Sequence, residues 1–207
     1  MKTDLMTPEF RVSFPEVFEP KAFGNSAAKY SVCMLFPRTD EVKDFFTKCK
    51  RIEAQVIAEK WGENVPDGLK TLPINDGNKK SKLQGYKDHY FITPKSGTKP
   101  GLVDGQIQPI IDREQFYGGC YAKATLNIYA YEYREGGTVI SRGVTFGLNN
   151  IMKTKDGDAF SGRTRPEDDF QPIESEDASE YGGFEDMGNP GEKTVVAEKT
   201  TVDDFLG

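Results

Sequence analysis

Between Gly119 and Arg134 the chain reads GCYAKATLNIYAYEYR, and every second residue there carries a group able to hold a ligand. Tyr121, Lys123, Thr125, Asn127, Tyr129, Tyr131 and Tyr133 occupy the odd positions, while Cys120, Ala122, Ala124, Leu126, Ile128 and Ala130 occupy even ones. In an extended strand successive side chains point to opposite faces. One face is therefore small and apolar, suited to close packing. The other is a row of phenols, an ammonium and hydrogen-bonding groups that no core would select. Aromatic faces stack unpaired bases for about 1–3 kcal/mol each, and cations nearby track the phosphates. Such a row suits a single nucleic-acid strand. It can equally be cross-strand packing on an exposed sheet, because Tyr is a good strand former. A bulge in this strand would also scramble the two faces.

Cations lie on either side of this segment in sequence. Arg142 sits on the segment that returns after it, with Lys153 and Lys155 just beyond. Upstream, Lys79, Lys80, Lys82 and Lys87 cluster around Tyr86, with Tyr90, Phe91, Lys95 and Lys99 following. Taken alone, lysines in loops are solvated charges. Beside an aromatic row they become candidate phosphate contacts.

The elements that must position these groups read as follows. Phe10, Val12 and Phe14 share one side of a first strand, which Pro15 is expected to stop. Residues 29–36, KYSVCMLF, are apolar on both faces and predict a central strand. Thr39 or Asp40 can cap a helix in which Val42, Phe45, Phe46, Cys49, Ile52, Val56 and Ile57 recur at spacings of three and four, closing near Trp61 and Gly62. Residues 62–118, rich in Gly, Pro, Lys and Asp, predict long loops and short strands such as 88–94. The strand at 119–134 then turns at Gly136-Gly137 and pairs with TVISRGVTFGL, after which NNIMKTKDGDAFSGR closes the folded part. The pattern predicts a mainly β (α+β) fold, an OB-like five-stranded barrel with one main helix and long loops. A β-sandwich with a decorating helix fits the same elements.

Charge divides the chain. Residues 166–207 hold two basic residues, Lys193 and Lys199, against thirteen acidic ones, a net of −11 within a total of −6, which leaves residues 1–165 at +5. Hydrophobic residues make up 36% of the chain, below the roughly 45–50% of an ordinary globular protein. The shortfall is concentrated after Pro166, where apolar periodicity vanishes. The expected organisation is a folded basic domain, 1–165, and a disordered acidic tail, 166–207. That tail ends in VDDFLG, and Asp203, Asp204 and Phe205 form a candidate docking peptide, two carboxylates and a ring. An acidic tail can also occupy a basic groove within its own chain and be displaced by DNA. A merely solubilising tail would explain the charge but not the terminal aromatic.

Catalysis has little to draw on. The single histidine, His89, cannot furnish a His-rich metal site, and a Ser-His-Asp triad would have to use it. There is no phosphate-binding GxxxxGK[ST] loop, and the DGD at 156–158 lacks the spaced ligands of a calcium loop. No enzyme activity and no cofactor are expected. The three cysteines, Cys33, Cys49 and Cys120, are widely spaced and read as buried free thiols. No apolar run reaches the roughly 18–20 residues of a membrane span, and no secretory signal opens the chain. A cytosolic location is expected.

Three segments carry a closer resemblance: FYGGCYAKATLNIYAYEY (116–133), GVTFGLNNIMKTKDGDAFSGR (143–163) and the acidic tail ending in DDF. Across most of its length the chain resembles the phage single-stranded DNA-binding proteins long catalogued as a family of unknown function. The resemblance implies an OB-like barrel, sequence-independent binding of single strands, and a role in phage replication or recombination within the infected bacterial cell. The tail is similar to those with which bacterial and phage single-strand binders recruit replication proteins, although Leu206 and Gly207 follow Phe205 where bacterial tails end in Asp-Pro-Phe. A homodimer is compatible with the sequence. Two other readings compete: a phage interaction or structural protein acting through its tail, and a metal-dependent nuclease or recombination enzyme, for which no paired carboxylates are visible on the strands.

Overall fold

The computed structural model describes residues 5–22, 24 and 26–160. The tail, with Asp203, Asp204 and Phe205, lies outside them. The strands are β1 (Leu5–Met6), β2 (Phe10–Lys21), β3 (Lys29–Pro37), β4 (Asn75–Asp76), β5 (His89–Ile92), β6 (Lys95–Ser96), β7 (Gly101–Val103), β8 (Tyr121–Glu135) and β9 (Thr138–Lys155). One long helix, α1 (Asp40–Trp61), follows β3.

Five of these strands close a ring. β2 pairs antiparallel with β3, and β3 with β6. β6 then runs parallel to β9 at Lys95 and Gly147, and β9 pairs antiparallel with β8. β8 returns to β2 through Phe10–Ala122 and Arg11–Tyr121. A sandwich would leave two separate sheets; the closed ring rules it out. β1, β4, β5 and β7 extend the wall.

The β8–β9 hairpin is the backbone of the ring. Gly136 and Gly137 turn it with φ of +53° and +84°, values that residues with a Cβ rarely adopt. Its ladder slips three times, and each time the extra residue (Thr154, Asn149 or Ile140) stands on β9. β8 therefore keeps its alternation. Ala122, Ala124, Leu126 and Ile128 are buried, while Tyr121, Lys123, Thr125 and Asn127 are partly exposed on the other face. β9 continues seven residues past the expected TVISRGVTFGL, because β7 runs parallel to it from Asn150 to Met152 and partners that extension.

β3 is central, as its composition predicts. Val32, Met34 and Phe36 face the main core, while Cys33 and Leu35 face a second cluster with Tyr86, Phe91 and the partly buried Phe160. The helix also matches the expected bounds. Thr39 caps it by accepting from the amide of Val42, and Gly62 ends it with φ +56°. Its apolar stripe buries Val42, Phe45, Phe46, Cys49 and Ile52, with the Phe46 ring edge-on to Phe36. Glu53 is buried on the same helix; its carboxylate accepts from the Leu72 amide and pairs with Lys50 at 2.8 Å. That contact pins the loop after the helix.

The first strand departs from expectation. β2 does not stop at Pro15 but runs twelve residues to Lys21. Its register against β3 slips between Ser13 and Glu16, so the missing amide of Pro15 falls where the ladder is already broken. Phe14 takes φ +43° there. It leaves the side it was expected to share with Phe10 and Val12, and is 60% exposed.

Candidate nucleic-acid interface

Tyr129, Tyr131 and Tyr133 project from the outer face of β8, where it runs out of the barrel towards the hairpin turn. Tyr133 is 59% and Tyr129 38% exposed; the Tyr131 hydroxyl lies 3.5 Å from the Ser141 hydroxyl across the ladder. Burial, and secondarily the neighbouring Tyr131, hold the Tyr129 phenol above its usual range. A phenol is uncharged at neutral pH even at its ordinary value of about 10, so the ring does not repel phosphate. These three rings line an open groove of about 620 Å3 with Lys29, Pro73, Thr93, Lys95, Thr145, Phe146 and one carboxylate, Glu132. Thr93 and Lys95 also line a second hollow of about 400 Å3 that contains Lys21, Lys80, Leu83 and Phe91. The two hollows adjoin at Thr93 and Lys95, the residues they share, and together make the channel.

The opposite end of the row is differently employed. Lys155 Nζ lies 4.5 Å from the Tyr121 ring centroid, and the Arg11 guanidinium 5.6 Å from it. Lys155 also pairs with Glu9 at 2.8 Å. That hydrogen bond, with one from Thr154 and the charges of Lys155 and Lys123, holds the Glu9 carboxyl below its usual range despite some desolvation. Thr125 accepts from the Asn150 amide, and Asn127 lies over Gly147, where a Cβ would collide with its side-chain oxygen. Any larger residue there would push the Asn127 amide aside.

Other candidates fall elsewhere. Tyr86 is 2% exposed. Its ring packs edge-on against Phe91, and its hydroxyl meets the Ser13 hydroxyl and the Cys33 thiol. The ring proposed as a DNA contact is instead a buried member of the second core cluster, backing the hollow that Lys80 and Phe91 line. Its sequence neighbours Gly85 and Lys87 suggested a loop surface; the polar partners Ser13 and Cys33 that draw the phenol inwards are remote in sequence. Lys153 is opposite Ala122, on the core side of the hairpin, where it pairs with Asp156 at 2.7 Å and lies over the Tyr117 ring. Arg142 is opposite Glu132, a residue that alternates with the tyrosines along β8. Neither shares a ladder face with the tyrosine row, because each pairs with an even-numbered β8 residue. Lys79, Lys82 and Lys87 are exposed on the loop, but of that cluster only Lys80 lines the channel, its ammonium 4.9 Å from the Phe91 ring centroid.

Of the channel's other wall only Lys95 stood among the sequence candidates; Lys29 and Thr93 did not. Lys29, Lys95 and Thr93 come to the tyrosines only because β6 runs parallel to β9, a pairing between short and distant segments that leaves no local periodic signal.

Over residues 3–181 the chain matches the family described as "Enterobacter phage Enc34, ssDNA-binding protein". The chain belongs to that family. It is 30% identical to protein p50 of Acyrthosiphon pisum secondary endosymbiont phage 1, across 73% of this chain and 83% of that one. The barrel is similar to the Enc34 family's single-stranded DNA-binding protein from bacteriophage Enc34, solved in complex with ssDNA, with a TM-score of 0.65 at 16% identity, covering 76% of this chain and 89% of that one. It is also similar to gp2.5, a single-stranded DNA-binding protein encoded by bacteriophage T7, with a TM-score of 0.57 at 12% identity, covering 86% and 100%. At these identities the structural likeness speaks to the fold, an OB-like ring of five strands with one helix.

Among the described residues no group of three or more His, Cys, Asp or Glu side chains is placed to hold a metal. His89 turns its Nδ1 to the Lys87 carbonyl at 2.7 Å. No described helix is long and apolar enough to cross a membrane.

Proposed function

We propose that this protein binds single-stranded DNA without regard to sequence and serves phage DNA replication or recombination in the host cell. The observation that carries this reading is the channel in which Tyr129, Tyr131 and Tyr133 stand beside Lys29 and Lys95. Family membership supports it. Bases stack on the phenol rings, and the lysines neutralise phosphates on the far wall. Neither contact reads base identity, which is why binding is independent of sequence. Lys123, Lys155 and Asn127 extend the surface towards Tyr121. The protein carries no catalytic role in this reading; it holds and protects a strand on which other proteins act.

The acidic residues 166–207 add the second half of the proposal. With a net charge of −11, they compete with DNA for the basic surface, and Asp203, Asp204 and Phe205 offer a docking peptide to replication proteins of phage or host. The test is the affinity of the Tyr129→Ala/Tyr131→Ala variant for a labelled oligo-dT. Lost affinity with an unchanged melting temperature supports the reading. Unchanged affinity moves the function away from this face.

A further inference from the structure

Phe14 is the least expected side chain of the barrel. Its sequence spacing with Phe10 and Val12 belongs to a core position, yet it is 60% exposed and its backbone takes φ +43°, a region that bulky residues rarely enter. The exposed conformation is imposed from both sides. Ser13 is buried and its hydroxyl meets that of Tyr86, and the register slip before Glu16 displaces the next pair. Strain of this kind persists where the surrounding structure over-determines it, and it clusters at binding sites.

The ring stands where two hollows meet. One is the 400 Å3 hollow with Lys21, Lys80, Thr93 and Lys95, which continues into the tyrosine groove. The other, of about 380 Å3, lies beyond it and is lined by Phe14, Leu83, Gln84, Gly118 and Phe160. Leu83 is itself 40% exposed. An exposed aromatic and an exposed leucine, continuous with an aromatic groove and flanked by lysines, offer a flat apolar surface and phosphate partners in the same order as the groove itself.

We infer that Phe14 is the stacking residue of a second base-binding subsite, at the end of the channel remote from Tyr133. Resting on the single-strand reading above, this assigns the bound strand a path from the tyrosine row past Lys95 and Lys80 to Phe14. One base lies against the Phe14 ring and the Leu83 side chain, and Lys80 takes the adjoining phosphate, whereas Lys21 is paired with Glu16 at 3.2 Å on the same rim.

The experiment uses the full chain and labelled oligo-dT long enough to cover both ends of the channel. Phe14→Ala should weaken binding by about 5- to 150-fold, the range of one lost base stack, and Phe14→Tyr should restore it. Phe14→Gly should weaken binding equally while the melting temperature holds or rises, because glycine accepts the positive φ. A side chain with a purely structural role would instead lower the melting temperature. Trp61 is the only tryptophan, so Phe14→Trp in a Trp61→Phe background places a single indole at the subsite, and its emission should be quenched on adding oligo-dT. Affinity unchanged in Phe14→Ala and Phe14→Gly, with no quenching, overturns the subsite. If Tyr129→Ala/Tyr131→Ala loses affinity in the same assay, the broader reading survives that failure. If the unaltered protein binds no single strand, both fall together.

Discussion

The Arg11 guanidinium lies 4.5 Å from the Phe160 ring centroid and, at the start of the barrel seam, 5.6 Å from that of Tyr121. It also donates to the Gly119 and Asp158 carbonyls at 3.1 and 2.8 Å. One side chain thus ties β2, the entry to β8 and the segment after β9. Arg11→Ala should destabilise the domain by about 1–3 kcal/mol, as loss of charge-assisted hydrogen bonds and cation–π contacts does. Arg11→Lys should recover little, because an ammonium cannot bridge two carbonyls and two rings at once. Urea unfolding reads both.

The same relationship separates the tyrosines. Tyr121 already engages Arg11 and Lys155, whereas Tyr129 and Tyr133 present their rings to the groove. Tyr129→Ala and Tyr131→Ala should each weaken oligo-dT binding by about 1–3 kcal/mol, with less effect on melting. Tyr121→Ala should do the reverse, lowering stability more than affinity. Binding titrations and melts on the three variants decide.

Glu9 restrains a cation of the proposed surface. Its carboxyl is held low chiefly by the hydrogen bond from Lys155, so its stabilising effect is complete above the ordinary carboxylate range, near pH 4.3, and fades as pH falls through the lower folded value. For Lys155, raised by the same bond, the effect is complete below the ordinary lysine range and is lost as pH rises through the higher folded value. Glu9→Gln should therefore change stability little at pH 7 for so exposed a pair. It should tighten oligo-dT binding at low salt by about 1.5- to 5-fold, as Lys155 is released to phosphate.

All three thiols are buried. Burial pushes Cys49 and Cys120 up to about 12 and raises Cys33 as well. A thiol-reactive disulfide reagent at pH 8 should label the native protein slowly, and all three cysteines promptly once urea unfolds it. Rapid labelling of the native protein would mean that the core opens locally far more often than its packing implies.

What the sequence revealed and what it hid follow from the range of the interactions involved. The two faces of β8 were legible because a strand's period is two and its bulges fall on the partner, leaving Tyr121 to Tyr133 undisturbed. The helix was legible from its cap and apolar spacing. Phe14 was not, since its exposure depends on a slip against β3. Tyr86 was misplaced because what buries it, Ser13 and Cys33, is supplied by other strands. Lys29, Lys95 and Thr93 reach the groove through the parallel β6–β9 contact, and closure of the ring is a property of the whole chain.

The most direct test of the central claim is fluorescence anisotropy with labelled oligo-dT and with a duplex of equal length across a salt series. The account predicts much tighter binding to the single strand. It also predicts a log–log salt slope of about −2 to −3.5, as three to five neutralised phosphates give at roughly −0.7 each. Equal affinity for the two forms, or no binding to either at low salt, would contradict it.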